Sequence, residues 1–323
     1  MKKMMITFKQ LTYKPHIIMN IPNEGSEAQP TSNKNENKPA YCQWIQEGGN
    51  SFYPAVKTIE QIPAGYYTIA YDGLRSQYFL IKKEVITDKL IHLPNEQYNG
   101  ILKDISEFWD KSERFKKFEF IHKRGILLYG PPGSGKTSLI NLLVNQVITE
   151  QNGLVINVSN PDYYSDFIGS LRAIETSRPI IVIMEDIDEI LKAYSQSNVL
   201  NILDGVLQIN KVVYIATTNY PEKLEGRIKN RPSRFDRRYC IGMPNKEARH
   251  YYLSKTIPTE DLPKDLDKWV EDTDGLGISH LRELIVDVLV LGNNYETSII
   301  DLKKMSKEIS ATGEITASGF AKR

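Results

Sequence analysis

The sequence predicts an α/β fold: a parallel sheet flanked by helices, preceded by a small β-rich stretch and followed by a helical lid. Three observations lead there. Leu154 to Val158, Ile180 to Met184 and Val212 to Thr217 are short apolar runs without alternation, as expected of strands buried on both faces of a parallel sheet. They alternate with helical stretches. From Asn245 onward the signal is helical only, with Leu281, Leu284, Ile285, Val288 and Leu289 on one apolar face.

Residues 22–39 carry Pro, Asn, Glu, Ser, Lys and Gly with almost nothing apolar, so residues 1–39 read as a tail and flexible linker. Residues 40–97 form a β-rich N-terminal module. In it, Tyr66 to Tyr71, the turn pair Asp72-Gly73 and Gln77 to Ile81 read as a hairpin. A helix is expected over 95–115, with Ile101, Ile105, Phe108 and Trp109 at helical spacing. The α/β domain then spans 98–244, and 245–323 supplies the helical lid and a C-terminal tail.

Of the 323 residues, two are cysteines, Cys42 and Cys240; they lie far apart and have no zinc spacing. A reducing, cytoplasmic compartment fits that usage. The net charge of +1 argues against a strong attraction to nucleic acid or an anionic membrane. No run approaches the ~20 apolar residues of a membrane span, and no signal peptide is read.

The most informative motif is Gly130-Pro131-Pro132-Gly133-Ser134-Gly135-Lys136-Thr137, directly after the apolar run Gly125 to Tyr129. This is the G-x-x-x-x-G-K-[ST] phosphate loop. Its amides form a nest for phosphate oxygens, and a helix starting near Lys136 brings its positive end to the same place. Lys136 is expected to reach the β- and γ-phosphates and the Thr137 hydroxyl to ligate Mg²⁺; Ser138 completes the binding segment. ATP and Mg²⁺ are therefore the expected cofactors.

Ile180 to Met184 ends in Glu185-Asp186-Ile187-Asp188, at the strand end where α/β sheets bind ligands. Glu185 is assigned to the metal side and Asp186 to the base that activates water, with Asp188 free to cap the next helix. A plain helix N-cap with acidic first-turn residues is the alternative. Thr217-Thr218-Asn219 closes another strand, and its amide can polarise the water, sense the γ-phosphate or simply form a turn. Between Arg227 and Arg238 lies a dense cationic run that fits arginine fingers, a nucleic-acid patch or a solvated face. Arg rather than Lys at Arg231 and Arg234 favours fingers, because a planar fork grips phosphate bidentately.

These parts, in this order, resemble the AAA family of ring ATPases over about residues 95–310. The resemblance implies a P-loop AAA+ core and Asn219 as its first sensor. It also implies Arg231 and Arg234 as fingers acting on a neighbouring subunit, and a homo-oligomeric ring of about six copies. Gly275 to Leu284 is similar to the family's second sensor region, which suggests Arg282 there. The order Glu185-Asp186, together with Leu200 to Val206, looks like the Bcs1-like branch, without that branch's membrane helix. Phe167-Ile168-Gly169 fits either a substrate-gripping pore loop or one face of a helix. No His-Glu-x-x-His occurs, so a fused zinc protease of that type is excluded. The leading function is an ATP-driven remodeller or translocator of protein, with the N-terminal module choosing the client. A nucleic-acid-acting ATPase and a slow nucleotide-gated scaffold are the alternatives.

Overall fold

The structure is a computed structural model that describes residues 43–312 apart from 48, 56–57, 85–89, 95, 205–208, 225 and 227–232. The tail and linker expected over 1–39, Arg231 and part of the Leu200 to Val206 run lie outside the described residues.

Four strands open the described chain: β1 (Gln43–Glu47), β2 (Ser51–Ala55), β3 (Gly65–Asp72) and β4 (Gln77–Lys83). Helices α1 (Glu96–Trp109) and α2 (Ser112–Lys117) lead to β5 (Lys123–Tyr129) and α3 (Lys136–Gln151). Then come β6 (Leu154–Asn157), α4 (Pro161–Ile174), β7 (Ile180–Met184), α5 (Ile187–Ala193), α6 (Gln196–Asp204), β8 (Val212–Thr218) and β9 (Arg237–Cys240). The lid holds α7 (Lys246–Thr256), α8 (Leu266–Asp272), α9 (Ile278–Ile285), a π-helical turn (Val286–Val290) and α10 (Tyr295–Thr312).

All nine strands share one sheet, in the order β1-β2-β4-β3-β6-β7-β8-β5-β9. The expected hairpin is present: β3 pairs antiparallel with β4, from Tyr66↔Lys83 to Asp72↔Gln77. β3 also pairs in parallel with β6, from Gly65↔Leu154 to Thr68↔Asn157, so the β-rich stretch extends the edge of the parallel sheet. A buried ion pair fixes this join. Glu175 Oε1 accepts the Ile62 N–H at 3.1 Å, and Arg178 donates to the Ile62 carbonyl at 2.6 Å and to Glu175 at 3.2 Å. Both backbone groups of Ile62 are thereby satisfied out of reach of water.

Neighbouring residues on the parallel strands face opposite layers. Ile126, Leu128, Ile181 and Ile183 join α1, α3 and the lid in one apolar cluster. Leu127, Ile180 and Val182 join α4 and α6 in the other. In α4, the Asn160 side chain caps the Asp162 and Tyr163 amides and Pro161 occupies the first turn. Phe167 and Ile168 are buried at 1% and 0% exposure, so Phe167-Ile168-Gly169 belongs to a helix packed on the sheet rather than to a pore loop.

The helix expected over 95–115 is broken at Asp110-Lys111. The break lets Phe108 and Phe115 both pack against His122, with ring centroids 4.0 and 4.6 Å away. His122 Nε2 lies 2.8 Å from the Phe108 carbonyl, which can only accept, so the proton sits on Nε2. Nδ1 is buried without a partner. Charging the ring would add a second buried donor, and burial pulls the His122 pKa below its ordinary value.

The unfolded chain binds this proton near pH 6.5 and the folded chain resists it, so stability falls as pH drops below that point. The melting temperature should therefore rise from pH 5 to 6.5. His122→Gln should flatten that rise by up to ~1.4 kcal/mol per pH unit, the weight of one proton. Identical slopes in thermal melts of the two proteins would exclude His122 as the source.

Candidate nucleotide site

The site lies where three neighbouring strands end together. β8 pairs with β5 from Lys123↔Val212 to Tyr129↔Thr218, and β7 pairs with β8 up to Met184↔Ala216. The phosphate loop after Tyr129, the carboxylates after Met184 and the Thr218-Asn219 step therefore emerge side by side. Gly133 and Gly135 bend the loop at φ 74° and 104°, where a Cβ would be strained. α3 starts at Lys136, as its motif requires.

Lys136 is 7% exposed, and its ammonium donates to the carbonyls of Gly130 at 2.9 Å and Pro131 at 3.0 Å and to Asn219 Oδ1 at 2.6 Å. Burial pushes its pKa down to about 8, against the pull of Asp186. The Asn219 amide in turn donates to Asp186 Oδ1 at 3.4 Å, so Asn219 bridges the cation and the carboxylate. The Thr137 hydroxyl donates to Glu185 Oε2 at 3.4 Å. Burial raises the Glu185 pKa, and the Thr137 hydrogen bond opposes the rise.

Asp186 stands at the N-cap of α5 with φ 47° and ψ 56°, an unfavourable conformation for a residue with a Cβ. The Asp186 N–H donates to Thr217 Oγ1 at 2.9 Å. The capping role expected of Asp188 is not what the chain uses. Asp188 is 5% exposed and accepts the Thr218 hydroxyl at 2.7 Å, which fastens the end of β8 to the start of α5.

Lys136, Thr137, Glu185, Asp186, Thr217 and Asn219 line a cavity of about 600 Å³. Pro132, Gly133, Gly135 and Ser138 reach it as well. Gly130 and Pro131 serve through their carbonyls, and Ser134 is turned inward at 2% exposure. The lining also holds the apolar side chains of Leu90, Ile91, Leu93, Tyr252 and Ile278, which suit a planar base. Arg282 lines it too. No motif marks the apolar lining, because its residues come from a loop and two lid helices far apart in sequence. Tyr98 was likewise invisible: its hydroxyl donates to the carbonyls of Ser134 and Gly135 at 3.5 and 3.4 Å and braces the loop from α1. The lid touches the loop directly, since a Cβ on Gly277 would lie 2.4 Å from the Gly133 carbonyl oxygen.

The oxygens of Thr137 and Glu185 suit Mg²⁺, which takes few protein ligands and completes its shell with phosphate and water.

Arg234 is not at this site. It is 4% exposed, and its guanidinium forks onto Asp204, 2.6 Å to each carboxylate oxygen. Its segment is fastened to the start of β5. Lys123 donates to the Ser233 carbonyl at 3.1 Å, and Asp236 accepts from the Gly125 N–H and Arg124 Nε, each at 3.0 Å. A Cβ on Gly125 would lie 1.7 Å from the Arg234 carbonyl oxygen, so only glycine fits there.

A phosphate loop, an acidic strand end and an apolar base pocket on a parallel sheet define a P-loop nucleotide-binding protein. Over residues 126–243 the chain matches the model of the ATPase family associated with various cellular activities (AAA), a likeness that supports ATP hydrolysis with ATP and Mg²⁺ as cofactors. It is 33% identical over 167 residues to the ATPase family gene 2 protein of Schizosaccharomyces pombe, covering 46% of this chain and 20% of that protein. It is 27% identical over 230 residues to the cell division cycle protein 48 homolog of Archaeoglobus fulgidus, covering 61% and 30%. Similarity to the ATP-dependent zinc metalloprotease FtsH 2 of Salinibacter ruber is 29% over 218 residues, covering 60% and 31%. The matched segments span 20 to 31% of these relatives' own lengths.

Lys136→Ala should weaken ADP and ATP binding by ~10- to 100-fold, the weight of hydrogen bonds to a buried cation. Calorimetric titration with Mg-ATP checks it. Unchanged affinity would remove Lys136 from the phosphate site.

Proposed function

We propose that this chain hydrolyses ATP as a subunit of a homo-oligomeric ring and uses the cycle to remodel a protein client. The observation that carries the proposal is the position of the arginine segment. Arg234 is mounted beside Gly125 at the start of β5, whereas the phosphate loop follows the end of that strand. The five residue steps from Gly125 to Gly130 span roughly 17 Å. Arg234 is thus out of reach of the nucleotide on its own chain, and its position favours a neighbour's. Only a head-to-tail contact that closes on itself gives every copy both partners, which means a ring.

In this reading the phosphate loop amides and Lys136 hold the β- and γ-phosphates, and Lys136 exchanges its carbonyl and Asn219 partners for phosphate oxygens. Thr137 and Glu185 hold Mg²⁺, which when bound neutralises charge developing on the phosphates. Asp186 accepts the proton of the attacking water, and Asn219, already within reach of Asp186, orients that water. Arg282 reports nucleotide to the lid. Arg231 and Arg234 of the adjoining copy stabilise the leaving γ-phosphoryl group, with Arg234 released from Asp204 or presented together with it.

The client role draws support from relatives whose names include a cell division cycle protein and an ATP-dependent protease. With Phe167 and Ile168 packed in α4, threading by that segment is not favoured, and remodelling is the better reading. The β-rich stretch is the candidate client reader. The order Glu185-Asp186 and the Leu200 to Val206 run favour the Bcs1-like branch. No helix of the described residues is long and apolar enough to cross a membrane, which is compatible with a cytoplasmic setting.

Asp186→Asn should bind ATP normally and lower turnover ~10²- to 10⁴-fold, the usual weight of a general base. If Glu185→Gln alone does so, the base is Glu185. Arg234→Ala, tested for intact ADP binding, should lose ~10³-fold or more in turnover. Mixing it with Lys136→Ala copies should restore activity, because each supplies what the other lacks. No recovery in mixed assemblies would refute action between subunits.

A further inference from the structure

The phosphate loop is held from behind as well as from the cavity. Tyr98, in the first turn of α1, is 3% exposed, and the residues lining the nucleotide cavity do not include it. Its hydroxyl lies 3.5 Å from the Ser134 carbonyl oxygen and 3.4 Å from that of Gly135. Carbonyls only accept, so the hydroxyl donates, shared between two acceptors as a three-centre bond. Burial pushes its pKa up to about 12, so it keeps its proton near neutral pH. Gly135 makes room for it: with φ at 104°, a Cβ there would lie 2.7 Å from the hydroxyl oxygen.

In a trans peptide the carbonyl and the following N–H point opposite ways, and no cis bond occurs among the described residues. The Ser134 carbonyl shares its peptide unit with the Gly135 N–H, and the Gly135 carbonyl shares its unit with the Lys136 N–H. A hydroxyl that fixes both carbonyls therefore turns both N–H groups away from Tyr98. Neither N–H has a protein partner among the described residues. The adjacent Ser134 N–H, by contrast, is spent on the Pro131 carbonyl at 3.3 Å. Gly135 and Lys136 both line the cavity, so two donors of fixed direction stand at its wall. The hydroxyl itself has a firm base. Ile101, Ile105 and Phe108 of the same helix are buried in the core, and Asp104 accepts the Tyr239 hydroxyl of β9 at 2.9 Å.

We propose that Tyr98 is a positioning residue for the nucleotide: through the Ser134 and Gly135 carbonyls it aims the Gly135 and Lys136 N–H groups at the phosphates before ATP arrives. It rests on the nucleotide reading of the site and not on the ring. Donors set in place beforehand need no reorientation when phosphate binds. The start of α3 adds its positive dipole end at the same place. The competing role for Tyr98 is to fill the core and find acceptors for its own buried hydroxyl. That role would not distinguish ligands with phosphates from ligands without them.

Tyr98→Phe removes the hydroxyl and keeps the ring in the core. Its affinity for Mg-ADP, measured by calorimetry on the full chain, should fall roughly 3- to 10-fold, the weight of one neutral hydrogen bond. Adenosine, titrated by nuclear magnetic resonance with isotope-labelled glycine, should bind wild type and variant alike. In the same spectra the Gly135 amide should shift on ADP binding in the wild type and shift less in the variant. Unchanged ADP affinity would overturn the proposal. Equal losses for ADP and adenosine would assign Tyr98 to the fold alone and overturn it too. A wild type that binds neither ligand would instead overturn the nucleotide site itself.

Discussion

The polarity of the parallel strands is the constraint on which the rest of the molecule depends. β5, β7 and β8 all run the same way, in register, so every group that touches nucleotide leaves the sheet at one end. The chain re-enters β9 beside β5 from the other end, which carries Arg234 away from its own phosphate loop. Neither arrangement depends on a surface loop. Both are fixed by the ladder hydrogen bonds of buried strands and by the apolar layers on either face. A shift of one residue in β8 would move Asn219 off Lys136 and turn every side chain of the strand into the opposite apolar layer.

At the nucleotide end, one buried ammonium organises the site. Lys136 draws in two loop carbonyls and the Asn219 amide, and Asn219 passes that contact to Asp186. Desolvation makes the isolated charge costly, which is why its pKa falls to about 8. A phosphate group offers better partners than neutral carbonyls do, so nucleotide binding relieves that cost. At the opposite end, the charges on Arg124, Asp236, Arg234 and Asp204 are paired within the chain and hold Arg234 beside the start of β5.

Much of this was legible in the sequence because it is local. The phosphate loop, the acidic strand end and the hairpin around Asp72 each lie within a short contiguous segment, the longest being Gly65–Lys83, and spacing alone specifies their geometry. What escaped was non-local. The Asp204–Arg234 pair spans 30 residues, and the Glu175 contact to Ile62 spans 113. The parallel joining of β3 to β6 leaves no mark on either strand, since both are apolar whichever neighbour they take. The break between α1 and α2 came from aromatic packing on His122, which overrode helical periodicity. Asp188 looked like a cap because acidic residues often are, yet a buried threonine hydroxyl claimed it. Phe167 fitted two patterns, and its burial within α4 resolved it towards the helix.

The account turns on ATP cleavage being shared between copies, so turnover per protomer should depend on how many protomers meet. The most direct measurement is the steady-state ATPase rate per chain over a wide range of protein concentration, with assembly followed in the same samples. The account predicts a rate near zero in dilute, monomeric protein that climbs steeply and levels off as rings form. A constant, full rate per chain in protein that remains monomeric throughout would contradict it.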